Sequence, residues 1–70
     1  MGVIKMSAFP QAGIVMSLSD DEAVVAVPIY NLETELCPIS KDIKDLKIGD
    51  EVLVVFLAGD LHRPVVMCRL

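Results

Sequence analysis

Residues 46–70 read LKIGDEVLVVFLAGDLHRPVVMCRL, and the fold turns on them. Glu51 to Ala58 is a run of mostly branched apolar side chains, Pro64 to Leu70 is a second and shorter one, and Gly59 to Pro64 between them is polar. Branched side chains crowd a helical turn but pack well on a pleated surface, so the pattern predicts a β-hairpin. Gly59 and Asp60 are expected at turn positions with unusual dihedrals, and Pro64 opens the last strand. Gly49, just before the hairpin, is expected to supply a left-handed backbone conformation.

Toward the N-terminus the pattern weakens and then recovers. Ser40 suits a helix N-cap, and Ile43 and Leu46 fall three apart on one side, so one or two helical turns are expected before Gly49. In Asn31 to Pro38, Leu32, Thr34 and Leu36 alternate with Glu33 and Glu35, which predicts a short third strand with one wet face. Glu22 to Tyr30 predicts a second strand, with Val25, Val27 and Ile29 on one face and Val24, Ala26 and Tyr30 on the other. Pro28 cannot donate to a ladder and belongs at an edge or bulge. Ser19, Asp20 and Asp21 form a turn back to a first strand, Gly13 to Leu18. Pro10 stops regular structure before it, so residues 1–11 are expected to be a flexible arm and 12–70 a single domain. The order of elements predicts an all-β fold: a small five-stranded OB-like barrel with one short helix between strands three and four. An SH3-like barrel is the alternative.

The totals constrain partners. A domain of 70 residues buries only about 60% of the surface its unfolded chain exposes. This chain is 54% hydrophobic with a mean hydropathy of +0.62, more than so small an interior can hide, so some apolar side chains are expected to face another subunit. The runs VVAVPIY and VLVVFLA have too few polar positions to give one face to water, and an open edge of that kind invites pairing with another chain. Net charge is −4, and Lys41, Lys44 and Lys47 each sit close to an Asp, which argues against nucleic acid. No apolar run approaches the roughly 20 residues that span a bilayer, and MGVIKMSAF lacks the apolar core of a signal peptide. The expected compartment is the cytoplasm, with no membrane contact.

Residue types that carry chemistry are scattered. His62 is the sole histidine, and a metal would need two or three further ligands at a ligand spacing that the sequence does not offer. Asp20, Asp21 and Glu22 lack the alternating oxygens and central glycine of a calcium loop, Glu33 and Glu35 read as a wet strand face, and Ser17, Ser19 and Ser40 have no neighbouring base. Cys37 and Cys68 share no CxxC spacing and read as small buried side chains, and Met16 and Met67 read as core fillers. No catalytic residue, metal or cofactor is expected. The candidate protein-contact turn is Gly59, Asp60, His62, Arg63 and Pro64.

Gly49, Asp50, Val52, Phe56, Gly59, Asp60, Arg63, Pro64 and Val65 follow the closing pattern of a known group. The run GDEVLVVFLAGDLHRPVVMCRL resembles the end of the OB-fold domain of phage baseplate protein V and type VI secretion spike proteins: a glycine and a charged residue, a long apolar strand, a Gly-Asp turn, a proline and a short apolar strand. A small bacterial domain associated with such systems has a similar ending. Cys68 stands where the group has a glycine, and the chain stops at Leu70 where a spike continues into a β-helix. The resemblance therefore implies a stand-alone barrel, or an excised domain, that docks into, caps or regulates a phage-tail or secretion-spike assembly, with self-association and protein partners. The expectation from another class is an OB-fold binder of single-stranded nucleic acid, which would stack bases on Tyr30, Phe9 and Phe56.

Overall fold

The computed structural model describes residues 8–70; most of the expected arm lies outside the described residues. The fold is all-β. Strands β1 (Gln11–Ser19), β2 (Glu22–Val27), β3 (Leu32–Glu33), β4 (Cys37–Pro38), β5 (Glu51–Phe56) and β6 (Pro64–Arg69) form one sheet in the order β3-β2-β1-β5-β6, with β4 also pairing β2. Every ladder is antiparallel. Ile39, next to β4, makes a single parallel bridge to Val66 of β6, and the Ser40 N–H donates to the Val66 carbonyl at 2.8 Å. The opposite edges of the sheet thus touch at one point, but no continuous ladder closes it.

One side of every long strand faces inward. Val15, Ala23, Val25, Val27, Val52, Val54, Phe56 and Val66 are buried there. Gly13 belongs to the same face, and it is a glycine because nothing else fits: a Cβ would lie 2.5 Å from Val25 Cγ1 and 3.0 Å from the Ala26 carbonyl oxygen. Ile43 and Leu46 pack against this core as their spacing predicts, but no helix carries them. The Ile43 N–H bonds the Ser40 carbonyl at 3.1 Å as an isolated turn, and Asp45 then turns left-handed at φ 58°, which ends any helical path. Gly49 has φ 95°, as its identity predicts, and places its N–H on the Val15 carbonyl at 2.8 Å.

Three one-residue insertions reshape the expected alternation. Opposite β2, Met16 is the extra residue between Val15 and Ser17; opposite β5, Met67 is the extra residue between Val66 and Cys68. An unpaired residue in a bulge moves everything beyond it to the other face. Met16 and Met67 each follow an inward valine and are exposed rather than core fillers, and Cys68, which would share the inward face with Val66 without the bulge, points outward beside Leu53. The third insertion splits the expected third strand into β3 and β4. Thr34 to Leu36 span a gap that only Val24 and Val25 span on β2, so Thr34 and Cys37 are both buried while Leu36 is exposed. The second strand ends at Val27, because Pro28 opens a single 3₁₀ turn, Pro28–Tyr30, that exposes Ile29.

Candidate functional site

The polar hexapeptide forms a hydrogen-bonded tip at the end of the β5–β6 hairpin. After a 3₁₀ turn at Leu57–Gly59, the Asp60 N–H bonds the Leu57 carbonyl, the Arg63 N–H bonds the Asp60 carbonyl, and the Leu57 N–H bonds the Arg63 carbonyl, all at 2.9–3.0 Å. Asp60 Oδ1 accepts the His62 N–H at 2.8 Å, the local bond that suits aspartate to turns. The unusual dihedrals fall on Ala58 (φ 55°) and Gly59 (φ 72°), not on Asp60, whose φ is −92°. The Gly59 carbonyl accepts the Ala8 N–H at 2.9 Å, so the start of the described chain is tied to this tip.

Two hollows flank the tip where it faces the interrupted third strand. One, of about 340 Å³, lies between Glu33, Glu35 and Leu36 on one side and Leu61, His62 and Pro64 on the other. The second, of about 230 Å³, lies between Leu36, Cys37 and Pro38 and the residues Leu57, His62, Arg63 and Pro64. Leu36, His62 and Pro64 wall both. Of the five tip residues, the structure brings His62, Arg63 and Pro64 to the hollows, whereas Gly59 and Asp60 shape the turn behind them. Leu36, Leu57 and Leu61, which also line the hollows, are not among the candidates that the sequence offers.

Beneath the hollows the gap in the ladder is repaired by side chains. Val25 N–H, left without a strand partner, donates to Thr34 Oγ1 at 2.9 Å, and Thr34 N–H donates to the Val25 carbonyl at 2.8 Å. The Cys37 thiol donates to the Ala23 carbonyl at 3.2 Å. Burial pushes that thiol above its ordinary pKa, with the Glu22 charge adding to the effect and the hydrogen bond with Thr34 opposing it. A thiol held protonated is a weak nucleophile.

At the opposite end of the sheet a hollow of about 370 Å³ lies between the β1–β2 turn and the loop 39–46, with Asp20, Asp21, Lys41 and Asp45 at its rim. Arg69 holds that loop, donating to the carbonyls of Lys44 and Asp45 at 3.1 and 3.2 Å and pairing with Asp50 at 3.7 Å. Among the described residues no group of three His, Cys, Asp or Glu side chains could hold a metal ion, and no helix is long and apolar enough to cross a membrane.

The chain matches no protein-family model and no curated protein. The outward face of the sheet is itself largely apolar. Ile14, Val24, Ala26, Leu53, Val55 and Val65 point outward and are half-buried, with Met16, Met67 and Cys68 exposed among them. Register joins them across strands: Ala26 lies beside Ile14, Ala12 beside Leu53, Leu53 beside Cys68, and Val55 beside Val65.

Proposed function

We propose that this protein is a non-enzymatic, self-associating interaction module, a component or adaptor of a phage-tail-like or secretion-spike assembly. The observation that carries the reading is the outward apolar face of β2, β1, β5 and β6, because a sheet apolar on both sides needs a cover on its outer side as well as its inner one. The assembly context rests on the resemblance of residues 49–65 to baseplate and spike domains. An OB-like barrel is supported by the meeting of the sheet's edges at Ile39 and Val66: with β3 and β4 taken as one interrupted strand, five strands surround the valine core. A protein partner is favoured over single-stranded nucleic acid, since Phe56 is buried and Tyr30 packs edge-on against it at 5.7 Å, leaving Phe9 as the exposed aromatic ring.

Light scattering of the purified chain at micromolar concentration tests the central claim. A mass above that of one chain, reduced by Val55→Lys on the outward face, is expected. A strict monomer overturns the reading.

A further inference from the structure

We propose that two copies pair about a two-fold axis at the hairpin tip, each placing Leu36 and Leu61 against the other's hollows and setting Arg63 against the other's Glu33 and Glu35. The proposal rests on the self-association reading above and adds to the outward sheet face a second contact, at the hairpin tip. Its basis is the arrangement of charge around the two hollows. Glu33 and Glu35 line one hollow, Arg63 lines the other, and Leu36, His62 and Pro64 form the wall between them. A two-fold contact brings each patch of one copy onto a different patch of the other, and so requires both halves of a complementary pair on the same surface. A two-fold axis through the shared wall does this here: the acidic hollow of each copy meets the basic hollow of its mate. A partner of a single charge sign would satisfy only one of them.

The apolar and ionic groups at the tip are also unspent within the chain. Leu36 is 49% exposed and Leu61 40%, although both stand beside concave surface. Among the described residues the one ion pair is Arg69 with Asp50, so Glu33, Glu35 and Arg63 have no opposite charge to answer within the described fold. The hollows are of side-chain size, which suits leucines from a mating surface better than a whole helix. The tip backbone is fixed by the Asp60 and Leu57 hydrogen bonds, so little ordering is required on pairing.

The test uses two charge-reversed proteins, Arg63→Glu and the double variant Glu33→Lys, Glu35→Lys, followed by sedimentation or light scattering. Each alone opposes like charges twice across the two-fold, and its pairing is expected to weaken at least about tenfold, halving the mass at a concentration where the natural chain is paired. An equimolar mixture restores both contacts, since the carboxylate introduced at position 63 of one variant then faces the lysines of the other, and the natural Arg63 and carboxylates face each other. Recovery of the full mass on mixing, with unchanged circular dichroism for each variant, is the expected result. If the natural chain self-associates and Val55→Lys disrupts it while both tip variants keep full mass, the tip contact is wrong and self-association stands. If the tip variants dissociate but mixing fails to restore the mass, the ionic pairing is wrong. A monomeric natural chain removes the proposal and the reading beneath it together.

Discussion

Around Gly13 neighbouring strands are paired along continuous ladders, whereas between β4 and β6 the backbones meet at a single bridge with hollows beside it. The two regions draw on the same kinds of residue. In the first, β1 runs between Val25 and Val54 with no room for a methyl group, and the surrounding valines are fully buried. In the second, Val66 meets Ile39 at one bridge, and Leu36, Leu57 and Leu61 stay in solvent. The contrast teaches that apolar character alone does not decide which side chains are buried. A β-bulge does so, by turning Leu36 away from the core that Thr34 and Cys37 enter.

The largest blow to the packed side is Gly13→Val. Its branches must displace Val25 or the Ala26 backbone, and a loss of about 3 kcal/mol in chemical denaturation is expected. A stability equal to the natural chain's would show that β1 is not tightly held. On the other side Thr34→Val keeps the shape but removes the acceptor for the Val25 N–H, and a buried donor left unpaired costs about 2 kcal/mol. Arg69→Ala is a milder change. It removes two carbonyl contacts and one exposed ion pair at the loop 44–50, about 1 kcal/mol in all, and faster trypsin cleavage after Lys44 or Lys47 should accompany it.

The smallest effect is a pH dependence that separates the regions without altering their shape. The folded state raises the Cys37 pKa above its ordinary value of 9.0. Above that value the unfolded chain releases the proton before the folded chain does, so stability falls as pH rises, no more steeply than one proton allows, about 1.4 kcal/mol per pH unit. Cys37→Ala should flatten that part of the curve. An identical slope in the variant would show that the thiol is not the source.

Much of the packed side was legible in the sequence. The apolar runs, the turn at Asp20, the left-handed Gly49 and the strand opened by Pro64 all follow from rules acting on neighbouring residues. The seam was less legible because its features arise between strands. Nothing about Met16, Met67 or Glu35 announces an inserted residue, since any side chain can occupy a bulge and only the partner strand reveals it. Cys68 reads as a core residue and stands in solvent for that reason, whereas Met16 and Met67 face outward because each follows an inward valine. The expected helix failed differently: Ile43 and Leu46 have helical spacing, but a turn that brings both to the core satisfies the same spacing. Of the candidate tip, the turn chemistry was readable and the hollows were not, since they need the third strand opposite.

The lone bridge between Ile39 and Val66 also sets a timetable. The β1–β2 and β5–β6 hairpins join near neighbours, whereas this contact must bring together distant parts of the chain, for one bridge and the hydrogen bond of Ser40. It should form after the hairpins and open before them, so the Ser40 amide should exchange with deuterium through a local opening while Val25 waits for the whole molecule to unfold. Ile39 and Ser40 also line the hollow beside the β1–β2 turn, so the first opening is expected there, at the end of the sheet away from the hairpin tip.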